Sequence, residues 1–156
     1  MVAIRECQPE DMPQVEECFV ELQDFLHQLE PNVLEGKAAK KYFEFMLARC
    51  TATAGKVFVV EADHRVVGFV CVWAKVPSEE LDEEPGEYAF ISDLVVLPAF
   101  RRQRLGQMLL ERAESYARSL GVKKIQLEVL PNNTGALTLY SNHGFRTYEL
   151  LLSKDL

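Results

Sequence analysis

The chain contains the run Arg101-Arg102-Gln103-Arg104-Leu105-Gly106-Gln107 between an apolar segment and a segment with helical periodicity. The apolar segment is Leu94-Val95-Val96-Leu97, and the periodic segment extends over residues 108–120. A strand, a basic turn with a glycine and then a helix make an anion site, because the first N–H groups of a helix are unpaired and lie at the positive end of its dipole. The order of these segments predicts a phosphate-binding turn.

The positive charge of this turn contrasts with the formal net charge of −7 of the chain. The turn matches neither the Walker loop nor the Gly-x-Gly-x-x-Gly pattern of dinucleotide-binding folds. One short basic turn in a protein with a sequence pI of about 5.0 is not the footprint of a nucleic-acid-binding surface. Two alternatives to the anion site stay open: a solvated basic surface, or ion pairs with neighbouring carboxylates.

A second motif follows in Asn133-Thr134-Gly135-Ala136-Leu137-Thr138-Leu139-Tyr140-Ser141-Asn142-His143-Gly144-Phe145. Together the two segments resemble the GNAT superfamily of acyl-CoA-dependent N-acyltransferases, whose motifs are Arg/Gln-x-x-Gly-x-Gly/Ala and Asn-x-x-Ala-x-x-x-Tyr-x-x-x-Gly-Phe. The first motif matches at Arg101 and Gly106, and it departs at Arg104, where the family usually has glycine. The second matches at every fixed position, namely Asn133, Ala136, Tyr140, Gly144 and Phe145.

The resemblance implies an acetyl-CoA-dependent N-acetyltransferase with acetyl-CoA as co-substrate. The backbone of Leu94, Val95 and Val96 would pair with the amides of the pantetheine arm, and the turn formed by residues 101–107 would hold the pyrophosphate. We expect Asn133 to cap its helix, and the resemblance implies that it also contacts the arm. It further implies a splayed sheet beside the strand and a homodimer, which is frequent in the family.

Direct acetyl transfer to an amine poses two proton problems. A lysine-like amine, with a pKa of about 10.4, is mostly charged at neutral pH and must lose a proton, while the departing thiolate benefits from a proton donor. Tyr140 matches the family position that donates this proton; otherwise it is a packing residue. The base stays open between Asp93, Glu128, a water chain and simple desolvation. The other role open to Glu128 is to brace the splayed strands through a salt bridge or a hydrogen bond.

Length and composition predict one domain over residues 1–156, and the resemblance implies that it is a single N-acetyltransferase domain. No segment has the ~20 apolar residues of a membrane span, and no signal-peptide pattern is present. The four cysteines lack Cys-x-x-Cys spacing and the three histidines are widely separated, so we expect reduced core thiols in a cytoplasmic protein and no metal site.

Hydrophobic periodicity predicts an α+β, mixed α/β fold, and the resemblance implies a central, mostly antiparallel splayed sheet flanked by helices. Strict alternation along residues 86–97 places Tyr88, Phe90 and Ser92 on one face, and Glu87 and Asp93 on the other. The predicted strands are residues 2–7, 56–61, 65–76, 86–97, 123–129 and 145–153, and the predicted helices are residues 9–30, 35–49, 104–120 and 133–143.

The sequence says less about the amine that accepts the acetyl group than about the acetyl donor. The acidic residues between the third and fourth strands either concentrate a cationic primary amine of a small molecule or peptide, or form a solvated turn. Asp24, His27 and Gln28 could reach the same groove from the first helix. Two other classes compete with an enzyme: a non-catalytic acyl-CoA-binding or sensory module, and an interaction domain that does not bind CoA. The acidic residues are Glu79, Glu80, Asp82, Glu83, Glu84 and Glu87.

Overall fold

The computed structural model of the protein describes residues 1–156. None of its helices has both the length and the hydropathy needed to cross a membrane. The helices are α1 (Met12–Leu29), α2 (Lys40–Ala52), α3 (Leu105–Ser119) and α4 (Thr134–Asn142). The strands are β1 (Val2–Glu6), β2 (Lys56–Ala62), β3 (Arg65–Pro77), β4 (Glu87–Val96) and β5 (Ile125–Leu127).

The five strands form one sheet in the order β1-β2-β3-β4-β5. The first four are antiparallel, and β5 runs parallel to β4. The pairing of β5 covers only Ala89 to Ile91, so the rest of β4, toward Val96, has β3 on one side and no strand on the other. The predicted mixed α/β class with a mostly antiparallel, splayed sheet is confirmed.

The sheet separates two hydrophobic clusters. Helices α1 and α2 pack on one face, which we call the α1–α2 face, around buried residues such as Phe19, Met46 and Phe69. Helix α3 packs on the other, the α3–α4 face, where Leu109 is fully buried and Tyr140 of α4 contacts the cluster. The two faces are therefore covered by different helices.

A bulge in β4 changes the side on which Asp93 lies. Asp93 pairs with Cys71 of β3 and Ile91 pairs with Val72, so Ser92 is an extra residue in β4. A bulge of this kind reverses the alternation of side chains beyond it. Asp93 consequently lies on the α1–α2 face, the same face as Phe90. The prediction that these two residues lie on opposite faces is wrong, because strict alternation requires an unbroken ladder.

The C-terminal part of the chain departs from the prediction. Residues 145–153, predicted as the strand that closes the sheet, form no strand, and the side chains of Leu150 to Leu152 are exposed. An isolated strand is not stable without a partner, and periodicity does not reveal whether one exists. The predicted strand over residues 123–129 shortens to β5, so Glu128 lies just beyond its end.

Candidate active site

A groove of about 2540 Å³ runs along the open edge of β4. It is bounded by α1, the start of α3, α4 and the segments on either side of α4. Gln103 is the one predicted site residue that does not line it. The predicted residues that do line it are Asp93, Leu94, Val95, Val96, Arg101, Arg102, Arg104, Leu105, Gly106, Gln107, Glu128, Asn133 and Tyr140.

The turn before α3 has a row of free backbone donors. No N–H group from Arg102 to Gln107 donates a hydrogen bond to another protein group, and the first backbone bond of the helix runs from Met108 N–H to the Arg104 carbonyl at 3.0 Å. These donors converge at the positive end of a helix of 15 residues. The turn is therefore suited to an anion such as a pyrophosphate.

The arginines of the turn make no ion pairs. Arg102 and Arg104 are exposed, and no carboxylate lies within 4.0 Å of any of the three guanidinium groups. Arg101 instead donates from Nε to the Val96 carbonyl at 2.9 Å, which ties the turn to the end of β4. The alternative that the cluster pairs with neighbouring carboxylates is wrong.

Arg104 has a left-handed backbone, with φ of 61°. Glycine adopts this conformation without penalty, whereas another residue pays roughly 1–2 kcal/mol. Gly106 is in a tight place for a different reason, because a Cβ atom there would lie 3.2 Å from Cδ2 of Leu139 in α4 and that side chain would have to shift by a few tenths of an ångström. The glycine at the second motif position thus allows α4 to pack closely against the start of α3.

The α4 motif contributes one capping and one ionisable residue. The Asn133 side chain accepts a 3.3 Å hydrogen bond from the Ala136 N–H, which confirms the predicted cap. The Tyr140 ring packs against Phe145 with 5.8 Å between centroids, while its hydroxyl hydrogen-bonds to no protein group. Burial, and then the charge of Asp93, raise the pKa of Tyr140 to about 12. The hydroxyl is therefore protonated at neutral pH and free to donate.

A side cavity of about 270 Å³ opens from the groove on the α1–α2 face. Asp93, which is 7 % exposed, lies in its wall and accepts a 3.1 Å hydrogen bond from the Tyr42 hydroxyl. Burial raises the pKa of Asp93 to about 7, although the hydrogen bond from Tyr42 opposes this. Such a carboxyl exchanges a proton near neutral pH. The residues that line the cavity are Gln23, Leu26, Tyr42, Phe90, Ser92, Asp93 and Glu128.

Glu128 is exposed and lies in the wall of both the groove and the side cavity. Its carboxylate forms no salt bridge and accepts no hydrogen bond from the protein. The bracing role considered for Glu128 is thus wrong for this structure. Two carboxylates, one buried and one exposed, thus line the side cavity.

Sequence patterns missed Gln23 and Tyr42, and they pointed to the wrong side of α1. Asp24 accepts a 2.7 Å bond from the Gly36 N–H, and His27 contacts the Val33 carbonyl, so both hold the connection to α2. Neither residue lines the groove or the side cavity, and Gln28 does not line them either. The signal for Gln23 was its place four residues after the buried Phe19, on the apolar stripe of α1.

The acidic loop between β3 and β4 forms one rim of the groove. Its residues are exposed, and Glu83 accepts a 2.6 Å hydrogen bond from the Tyr148 hydroxyl. Asp82 does not line the groove, whereas Glu79, Glu80, Glu83, Glu84 and Glu87 do. The structure contains no group of three or more His, Cys, Asp or Glu side chains that could hold a metal ion.

Comparison with known proteins agrees with this geometry. The model of the acetyltransferase (GNAT) family matches residues 19–145. An uncharacterized N-acetyltransferase of Archaeoglobus fulgidus is 30% identical over 150 residues, covering 94% of each chain. One of Methanocaldococcus jannaschii is 31% identical over 118 residues, which are 74% of this chain and 48% of the relative. The chain thus spans about half the length of the latter relative.

Solved structures have the same fold. A Bacillus halodurans protein superposes with a TM-score of 0.81 at 19% identity, covering 99% of both chains. Aminoglycoside N-acetyltransferase AAC(6')-Iy in complex with CoA superposes with a TM-score of 0.72 at 18% identity, covering 100% of this chain and 95% of that one. At such identities the likeness concerns the fold alone. With the family match over most of the chain, it leads to one conclusion: this chain belongs to the GNAT acetyltransferase family.

Proposed function

We propose that the protein transfers an acetyl group from acetyl-CoA directly to a primary amine of a small molecule or peptide. The observation that carries the proposal is the opening of the sheet beside β4. There, Tyr140 approaches from the α3–α4 face and Asp93 lies on the α1–α2 face, and both line one groove. An acetyl donor bound on one side of the sheet and an acceptor amine bound on the other could meet at this opening.

The residues present fit acetyl-CoA, which supplies a thioester-activated acetyl group when bound. The free N–H groups from Arg102 to Gln107 would hold the pyrophosphate, with Arg102 and Arg104 adding charge. The unpaired edge from Leu94 to Val96 would pair with the pantetheine amides. Asn133, which lines the groove beside this edge, would contact the arm.

The proton transfers follow from the two ionisable groups. An ammonium group seated in the side cavity would lose its proton to the Asp93 carboxylate, whose raised pKa makes it a base suited to neutral pH. Glu128 would attract the cation to the cavity, and it is the alternative base. The Tyr140 hydroxyl would give its proton to the departing sulfur.

The remaining expectations are part of the same proposal. Residues 1–156 would act as one N-acetyltransferase domain, built on the single sheet. The four free cysteines suit a reducing compartment such as the cytoplasm. The homodimer implied by the family stays a prediction, and light scattering coupled to size-exclusion chromatography tests it.

Two measurements test the proposal. Acetyl-CoA at a hundredfold excess over its dissociation constant should stabilise the fold by about 2.7 kcal/mol and raise the melting temperature. The double variant Arg102→Gln/Arg104→Gln should shrink this shift, while Arg112→Gln/Arg118→Gln makes the same charge change elsewhere on α3 and should keep it.

Mass spectrometry of an amine panel incubated with protein and acetyl-CoA then tests turnover. Acetylated amine is expected. A melting shift without any acetylated product would favour the non-catalytic acyl-CoA-binding module. The absence of both would reject the cofactor assignment and leave the interaction domain.

A further inference from the structure

Gln23 is a buried polar residue without a partner. It is 8 % exposed and lies in the wall of the side cavity. Its carboxamide makes no hydrogen bond to any protein group. The nitrogen and oxygen of this carboxamide are not sealed from solvent, because the structure has no sealed side-chain nitrogen or oxygen that lacks a partner. The amide is therefore open to solvent, and the cavity whose wall it lines is one space that it faces. A carboxamide in a cavity wall that is not used by the protein itself can donate to, and accept from, a ligand in that cavity.

The other walls restrict what that ligand can be. Asp93 and Glu128 supply negative charge, while Leu26 and Phe90 supply apolar surface. No lysine, arginine or histidine lines the cavity. Its volume of about 270 Å³ falls below the range of roughly 300–1,000 Å³ of drug-sized ligand sites, so the occupant is compact.

We propose that the side cavity receives a compact primary amine that carries an uncharged hydrogen-bonding group near its nitrogen and no free carboxylate. This inference rests on the proposed function, and it names the acceptor class. The ammonium group would lie against Asp93, the apolar part against Leu26 and Phe90, and the uncharged polar group would bond to Gln23. An α-amino amide, including the first residue of a peptide, has this chemistry.

A free amino acid is excluded by charge. Its carboxylate would enter a cavity that already holds Asp93 and Glu128 and has no cation to pair with it. Burying an unpaired carboxylate near like charges is costly. The amide of the same amino acid keeps the carbonyl oxygen and the amine but lacks the charge, which makes the pair a stringent comparison.

Three acceptors that share the isobutyl side chain and the amine test the proposal: leucinamide, leucine and isoamylamine, which lacks the carbonyl group. We expect kcat/KM for leucinamide to exceed that for leucine by about 100-fold, because a buried polar site rejects the wrong group strongly. Equal use of leucine and leucinamide would overturn the proposal.

The variant Gln23→Leu tests the polar contact. It should lower kcat/KM for leucinamide about tenfold and leave that for isoamylamine nearly unchanged, since only leucinamide loses a hydrogen bond. Comparing each amine between proteins cancels the difference in amine basicity. Gln28→Leu makes the same change on the exposed side of α1 and should affect neither amine. An equal loss on both amines in Gln23→Leu would mean a structural role and would overturn the proposal.

Binding gives a readout that does not need turnover. Trp73, the only tryptophan, lies 5.4 Å from the Phe90 ring, so an occupant of the cavity should change its fluorescence. With CoA present, leucinamide should change the emission at lower concentration than leucine, and Gln23→Leu should weaken this effect. If binding follows this order without acetylation, the proposed function fails and the cavity assignment stands. If turnover occurs without this order, the cavity assignment fails alone.

Discussion

The Tyr42 hydroxyl donates a 3.1 Å hydrogen bond to Oδ2 of Asp93 and thereby joins α2 to β4 across the side cavity. Burial, and then the Asp93 charge, raise the pKa of Tyr42 well above its ordinary value, so the hydroxyl stays a donor. The bond favours the charged carboxylate, but burial outweighs it and leaves the pKa of Asp93 at about 7. The carboxyl is thus fixed in position while it can still take up a proton.

The raised pKa of Asp93 predicts how stability depends on pH. The folded state holds the proton up to about pH 7, whereas an unfolded Asp loses it near pH 3.9. The bound proton therefore favours folding, and this contribution is complete only below about pH 4. The contribution of Asp93 to the free energy of unfolding should fall as pH rises from about 4 to 7, by at most about 4 kcal/mol.

Urea unfolding of the wild type and Asp93→Asn at pH 5 and pH 8 measures this contribution. From pH 5 to pH 8, the stability of Asp93→Asn should increase relative to that of the wild type, because the variant never acquires the buried charge. Glu128→Gln, which removes an exposed carboxylate, is the control and should show no such gain. A constant difference between the wild type and Asp93→Asn would contradict the shifted pKa.

The same group predicts a pH dependence of activity. If Asp93 is the base, kcat/KM for an amine should rise with pH up to about 7, as the carboxyl loses its proton. Asp93→Asn should abolish this ascending limb and lower the rate. If the limb vanished in Glu128→Gln instead, Glu128 would be the base, and survival in both variants would favour a water chain or desolvation.

Tyr140→Phe tests the proton donor. Removing the hydroxyl leaves the ring packed against Phe145, so kcat should fall by roughly 10²-fold while the melting shift with acetyl-CoA is kept. Tyr116→Phe is the control, since its hydroxyl donates 2.6 Å to the Ala54 carbonyl, and it should lose stability without losing rate. Equal turnover by Tyr140→Phe and the wild type would return Tyr140 to a packing role.

Arg104→Gly tests the cost of the left-handed residue before α3. Glycine removes the strain at φ of 61° but gains entropy in the unfolded chain, so the free protein should gain up to about 1 kcal/mol. The melting shift with acetyl-CoA should shrink if the guanidinium contacts a phosphate. Urea unfolding measures the first effect and a thermal scan the second. A destabilised free protein would show that the side chain contributes more than the strain costs.

The sequence predicted the elements that local patterns determine. Arginines, a glycine and the following periodicity identified the turn before α3, and Asn133 was correctly predicted as a helix cap. These features depend on neighbouring residues, whose side chains and backbone dihedrals act over a few positions. The family motifs added the sheet and its open edge.

The parts that the sequence did not predict depend on pairing between distant segments. The extra residue at Ser92 is visible only in the register with β3, and the contact of Tyr42 with Asp93 joins positions 51 residues apart. Residues 145–153 have a strand-like composition but no partner strand. Gln23 lies on the apolar stripe of α1, and the sequence alone does not show the cavity that its polar side chain lines.

The acidic rim gives a prediction on how the acceptor is reached. If the rim concentrates a cationic amine, replacing Glu79, Glu80, Glu83 and Glu84 by glutamine should raise the KM of the acceptor and leave the melting shift with acetyl-CoA nearly unchanged, because rim charges act on encounter and weak binding. Glutamine keeps an acceptor for the Tyr148 hydroxyl at position 83.

The control for the rim variant changes net charge by the same amount elsewhere. Glu10, Glu17, Glu21 and Glu44 are exposed and do not line the groove, so their replacement by glutamine should leave KM unchanged if the position of the charge matters. Added salt should imitate the rim variant in the wild type, because the Debye length falls from about 8 Å at physiological ionic strength to about 3 Å at 1 M. An equal rise of KM in both variants would mean that net charge alone acts. No rise in either variant, and none with salt, would identify the loop as a solvated turn.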